Sequence, residues 1–161
     1  MPSAAHRLIA LALVATTAIT SLAACSSDNN PVKAKPVLDL SKDGVGTCLL
    51  VGTSIDAEVS KLPTIDCALE HTHEIYATIV VSDTKYPVYP GAEALDALAQ
   101  HDCTAAFQPY VLSGPFDSAL FFSWLLPTLA SWNDHKDRTI ICVTSRFDNA
   151  KLKGSVKGSR L

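Results

Sequence analysis

Glu74-Ile75-Tyr76-Ala77-Thr78-Ile79-Val80-Val81-Ser82 is the stretch on which the fold turns. Strand alternation puts Ile75, Ala77, Ile79 and Val81 on one face and Tyr76, Thr78 and Val80 on the other. Both faces are apolar. A strand of that kind is central in its sheet and covered on at least one side.

Moving toward the amino terminus, Thr47 to Val51 forms a short apolar strand between Gly46 and Gly52. From Glu58 to Cys67 the chain is extended but interrupted by Pro63, which marks an edge strand or a bend. In the other direction, a proline-rich turn (Tyr86 to Gly91) leads into a long helix from Gly91 to Gln108. Leu95, Leu98, Ala99, Cys103, Ala106, Phe107 and Tyr110 recur on it at helical spacing. Pro90 suits its start, and Pro109 argues for an end just before it. Leu120 to Leu126 reads as a strand ending at Pro127, and Thr128 to Asp137 as a turn or short helix around Trp132. Arg138 to Ser145 is the last firm strand, with Ile140 and Cys142 on one face and Ile141 and Val143 on the other. The expected fold is α+β: a mainly antiparallel sheet of four to five strands with one long helix packed on a face.

The amino terminus carries a different signal. Arg7 precedes an apolar run from Leu8 to Thr20, and Leu22-Ala23-Ala24-Cys25 follows. A basic residue, a short apolar segment and small residues before a cleavage point make a signal peptide over residues 1–24. The run of 13 residues is short of the roughly 20 that a membrane span needs. A plain secretory signal is the rival reading, but the leucine three residues before Cys25 and the alanines between them make a bacterial lipobox. Cys25 is therefore the expected lipidation site, carrying diacylglyceryl and acyl chains such as palmitate. Residues 25–42, polar and holding Pro31 and Pro36, read as a lipidated tether. Residues 43–161 form the folded domain. The protein is expected at the cell membrane, lipid-anchored on the extracytoplasmic face.

Without its first 24 residues the chain keeps 137, enough for one domain with a real core. The whole sequence has a net charge of −3, which becomes −4 once Arg7 is removed. An acidic domain is a poor nucleic-acid binder, since that task needs basic surface. Lys151, Lys153, Lys157 and Arg160 crowd the last eleven residues, which read as a solvated terminal segment. A sharper alternative is contact with anionic lipid or wall polymer.

Cys48, Cys67, Cys103 and Cys142 remain once Cys25 is lipidated. An even number in an exported domain implies disulfides, and four cysteines allow three pairings. Packing favours Cys48–Cys67, which joins neighbouring extended pieces, and Cys103–Cys142, which staples the helix to the sheet.

The residues then form a familiar order. It runs from Gly46-Thr47-Cys48 through Cys67-Ala68-Leu69-Glu70-His71-Thr72-His73-Glu74-Ile75-Tyr76 to Tyr89-Pro90-Gly91 and Cys103 on a helix. It continues with Trp124-Leu125-Leu126-Pro127-Thr128, Ser131-Trp132, Asp137-Arg138 and Cys142. This resembles the septum formation domain of actinobacterial envelope proteins, over most of residues 45–157. The resemblance places a cysteine, a histidine four on and a glutamate seven on at Cys67, His71 and Glu74. A proline, a tryptophan and a Gly-Asp-Arg turn before the last cysteine match Pro127, Trp132, Asp137, Arg138 and Cys142, with Lys136 in place of the glycine. It implies an envelope role near the division septum and no known catalysis.

Several residues invite chemistry. His71 and His73 share a strand face by spacing, which suits two imidazoles on one metal, but Glu74 falls on the opposite face and zinc wants three or four ligands. His101-Asp102-Cys103 hints at a thiol nucleophile, yet a cysteine on a buried helical stripe of an exported domain belongs in a disulfide. No G-x-S-x-G elbow, H-E-x-x-H pair or phosphate loop is present in the sequence. Asp137 and Arg138 suit a salt-bridged turn, with Arg138 also able to grip an anion. Trp124 belongs to the core, and Trp132, in a polar loop, is the surface candidate.

The sequence thus points to a non-catalytic lipoprotein that acts as a binding or scaffolding module in the envelope. Its partners would be the membrane, through the lipid, and envelope or division proteins or wall polymer. It would use no cofactor and bind no nucleic acid. His71, Glu74, Trp132 and Arg138 are the binding candidates. The alternative is a metal-binding or metal-delivery lipoprotein using His71 and His73.

Overall fold

The computed structural model describes residues 38–39, 43–52 and 62–161. The signal peptide, Cys25, nearly all of the tether and the start of the extended piece at Glu58 lie outside the described residues.

The stretch around Ile75 is the centre of a five-stranded antiparallel sheet. Its strands are β1 (Cys48–Leu49), β2 (Thr64–Ile65), β4 (His73–Val80), β5 (Leu120–Leu125) and β6 (Thr139–Arg146). They lie in the order β2-β1-β4-β6-β5. The Pro63 segment thus supplies an edge strand, where a residue without an N–H costs the ladder least. A second sheet pairs β3 (Glu70–His71) with β7 (Leu152–Lys153). Among the described residues two helices accompany these sheets, α1 (Ala92–Val111) and α2 (Leu129–Asp134).

α1 crosses one face of the sheet. Its stripe of Leu95, Ala99, Cys103, Phe107, Tyr110 and Val111 meets Tyr76, Ala77, Ile140 and Cys142 in the larger core. The opposite face carries a smaller cluster of Leu38, Leu49, Leu62, Ile75, Leu125, Ile141 and Val143. The faces of β6 are as alternation predicts. Those of β4 are not, because its register against β6 shifts between Ile75 and Ala77. At that bulge Tyr76 and Ala77 both join the helix-side core, so Ile75 lies on the opposite face from Ala77, Ile79 and Val81. The bulge lets a tyrosine enter the core, where its hydroxyl donates to the Cys103 carbonyl at 3.0 Å.

Helix α1 starts after Gly91, whose φ of 93° is open to glycine at no steric cost. Pro109 does not end it: the helix runs on to Val111, with Pro109 in its last turn. Burial of Tyr110 and Val111 holds that turn, and the Leu112 N–H bonds the Gln108 carbonyl from a left-handed C-cap.

Both disulfides are Cys48–Cys67 and Cys103–Cys142. The first ties β1 to the loop after β2, and the second staples α1 to β6. Chain entropy gives loops of these lengths about 3 and about 4 kcal/mol of stabilisation. The carboxy-terminal segment is not a solvated tail. Leu152 and Val156 are buried, while Lys151, Lys153, Lys157 and Arg160 stay in water. Apolar anchors four residues apart dock it, and the charges between them hide that from a reading of composition.

Candidate functional site

Glu74 opens the central strand and is fully buried. A buried carboxyl is costly unless its oxygens are satisfied. Here Oε1 accepts from the Tyr110 hydroxyl at 2.6 Å and from the Ser155 hydroxyl at 2.6 Å. Oε2 accepts from the Val156 N–H at 2.8 Å. One side chain therefore ties strand β4, the end of α1 and the carboxy-terminal strap together. Burial and the Glu74 hydrogen bond push the Tyr110 hydroxyl pKa well up, so it stays a donor. Cys48, opposite Glu74 in the ladder, brings its Sγ to 3.8 Å from Oε2.

His71 completes this cluster. Its side chain is fully buried, and Nδ1 lies 2.9 Å from the Leu69 carbonyl. A carbonyl only accepts, so Nδ1 carries a proton, and in the neutral tautomer that this fixes Nε2 is the acceptor. Nε2 has no partner. A ring nitrogen of His71, an oxygen of Glu74 and Cys48 Sγ all lie within 4.8 Å of one another. His71 and Glu74 converge, against the alternation expected from sequence, because β3 and β4 belong to different sheets. The chain turns out of plane at Thr72, so the i, i+2 rule does not carry across it.

His73 goes elsewhere. It lines a half-open trough of about 600 Å³ on the face away from α1. Its Nδ1 meets the Thr72 hydroxyl at 3.0 Å, and burial, with the neighbouring His71 as the smaller cause, lowers its pKa. Phe121, Ser123, Ser145, Arg146 and Lys151 also line the trough. Arg146 is held by both oxygens of Asp148, at 2.9 and 2.7 Å, and Lys151 lies 3.9 Å from Glu70. The trough offers hydroxyls, an imidazole and an exposed phenyl ring beside charges that largely offset each other. That set suits binding through hydrogen bonds and apolar contact. The residues expected to chelate a metal, His71 and His73, are not joined by a third ligand among the described residues; the convergent trio is Cys48, His71 and Glu74, and Cys48 is in a disulfide.

Trp132, expected at the surface, is buried, while Trp124 packs partly buried against the larger core. Trp132 is 1% exposed, under Arg138, whose guanidinium carbon sits 3.7 Å from the indole centroid. Arg138 also donates to the carbonyls of Trp132 at 2.8 Å and Asp137 at 3.1 Å, and pairs with Asp83. Asp137 accepts from Thr139 N–H at 3.0 Å and the Ser131 hydroxyl at 3.2 Å. Asp137 and Arg138 thus serve a structural turn, with the ion pair running from Arg138 to Asp83 and not between the two. Trp124 is the half-buried one, its indole N–H donating to Asp96 at 2.8 Å. Cys103 is bonded to Cys142, which excludes a free nucleophile there, and His101 pairs in solvent with Asp102.

Sequence reading missed Tyr110, Ser155 and Val156 as the partners of Glu74. The spacing of Leu152 and Val156 in an otherwise polar tail was the available signal. Among the described residues no helix is long and apolar enough to cross a membrane.

A family model described as septum formation matches residues 45–159. No curated protein and no solved structure matches the chain.

Proposed function

The chain belongs to the septum formation family, and from that premise we propose that it is a lipid-anchored, non-catalytic binding module of the cell envelope that works in septum formation. Cys25 is the acylated first residue, residues 25–42 are the tether, and the domain is presented on the extracytoplasmic face. The observation that carries this reading is the use made of two charged side chains, buried Glu74 and partly buried Arg138. Glu74 and Arg138 are spent on holding strands, helix end and strap together. What the domain offers outward is the trough beside His73 and Phe121, a surface suited to an envelope protein or wall polymer.

The experiment is cross-linking and capture from cells producing the native protein or its Cys25→Ala variant. Loss of membrane location and of the partner set in the variant supports the reading. An unchanged location and partner set contradicts it.

A further inference from the structure

The two disulfides differ in a way that the fold does not require. Cys103 and Cys142 are both fully buried, and so is Cys48 at 1% exposure. Cys67 is only half-buried. It sits in a loop whose carbonyl is pinned by the Gly154 N–H at 2.7 Å. Of these four cysteines it alone is not fully buried, and its Sγ lies 3.4 Å from the carbonyl of exposed Gly46. Behind it, Cys48 Sγ lies in a dry site with the Glu74 carboxyl 3.8 Å away and His71 within the same 4.8 Å cluster. His71 brings the orphaned Nε2, a buried base with nothing to accept from while the disulfide is closed.

We propose that Cys48–Cys67 is an exchangeable disulfide, with Cys67 as the sulfur attacked by an external thiol and His71 as the base that serves Cys48. This goes beyond the binding role above and does not rest on it. In the first step a thiolate attacks Cys67 Sγ along the line of the S–S bond. A new bond joins the incoming sulfur to Cys67, the Cys67–Cys48 bond breaks, and the electron pair leaves on Cys48. The Cys48 thiolate takes a proton from water that enters as the loop opens, and its S–H then donates to Nε2 of His71. A second external thiolate attacks its own sulfur in the mixed disulfide and frees Cys67, so two thiols become one disulfide as the domain gains two electrons and two protons. In the reverse direction Cys67 carries the external sulfur as a mixed disulfide; His71 Nε2 removes the Cys48 proton, and the Cys48 thiolate attacks Cys67 and expels the external thiolate. Reduction therefore gives Nε2 the partner it lacks. The co-reactant is a small thiol or an exposed cysteine of another protein. Titratable groups near His71 are Glu74 from β4, to which Tyr110 of α1 donates, and His73. Glu70 and Lys153 pair across β3 and β7 and are exposed.

The second disulfide is the internal control. Full-length chain is exposed to reduced glutathione without denaturant, quenched in acid, alkylated and mapped. Cys48 and Cys67 are expected to be labelled at least about tenfold sooner than Cys103 and Cys142. Equal rates, or rates that rise together with denaturant, overturn the proposal, since both bonds would then open only by unfolding. With oxidised glutathione, Cys48→Ser is expected to form a mixed disulfide at Cys67, releasing one reduced glutathione, and Cys67→Ser to leave Cys48 unlabelled; equal labelling of the two variants overturns the assignment of the attacked sulfur. His71→Asn keeps a donor toward the Leu69 carbonyl and removes Nε2. Ring closure in it is expected to slow about tenfold or more and to change its pH profile. An unchanged rate and profile removes His71 from the scheme. Reduced unfolded protein in place of glutathione distinguishes a protein thiol from a small one: faster exchange with the first identifies a protein partner, and faster exchange with the second a small thiol.

Discussion

Lys136 holds a φ of 53°, a left-handed backbone that costs a side chain with a Cβ about 1 kcal/mol. The Gly-Asp-Arg turn that this stretch resembles begins with glycine, and Lys136 keeps the left-handed backbone there without one. Lys136→Gly is therefore expected to stabilise the domain by about 0.5–1 kcal/mol in urea unfolding, and a loss of stability would contradict the strained-turn account. Glu74 tests the opposite extreme. Glu74→Ala leaves the Tyr110 hydroxyl, the Ser155 hydroxyl and the Val156 N–H without their acceptor, and is expected to cost about 3 kcal/mol or more, against about 1.5 kcal/mol for Tyr110→Phe. Equal small losses would mean that Glu74 is not the junction of the fold. His73 gives a pH dependence with a definite sign. Its folded pKa lies below the ordinary 6.5, so the unfolded chain binds the proton more readily. Stability is then full above about pH 6.5 and falls as pH drops through the folded value. His73→Asn is expected to flatten the difference in urea midpoint between pH 7.5 and pH 5.5; a variant with the same slope assigns it to other groups. The environments of single residues were the least legible in sequence. Trp132 lies in a polar stretch, yet it joins the larger core beneath the Arg138 guanidinium and beside the Tyr89 ring at 5.8 Å.

At the scale of elements, periodicity was a good guide wherever an element was long. The stripe of α1 and the two faces of β6 are where spacing puts them. It misled where a local device interrupted the period. The bulge at Tyr76 reverses the faces of β4, and the turn at Thr72 separates β3 from β4. Pro109 shows the same from the other side: a rule about backbone donors yields to the packing of Tyr110 and Val111. The carboxy-terminal strap was illegible because its partner, Glu74, is 82 residues from Val156. Truncation after Gly154 removes two of Glu74's donors and the buried Val156 side chain. A loss of about 3 kcal/mol is expected by denaturant unfolding, with an unchanged midpoint as the contrary result.

At the scale of the molecule, the fold class and both disulfides followed from a few facts: a two-faced central strand, one long helix, and four cysteines whose positions suit two local staples. The candidate site was legible only in its members. His71 and Glu74 were singled out, but their convergence on Cys48 depends on a sheet-to-sheet turn that no periodicity records. The account of function joins this domain to a membrane through one sulfur, and mass spectrometry of the intact protein extracted from membranes tests that directly. The account predicts a chain beginning at Cys25, heavier by its lipid, with Cys48, Cys67, Cys103 and Cys142 carrying no free thiol before reduction. A chain that begins at Met1, or one that begins elsewhere with an unmodified Cys25, would contradict it.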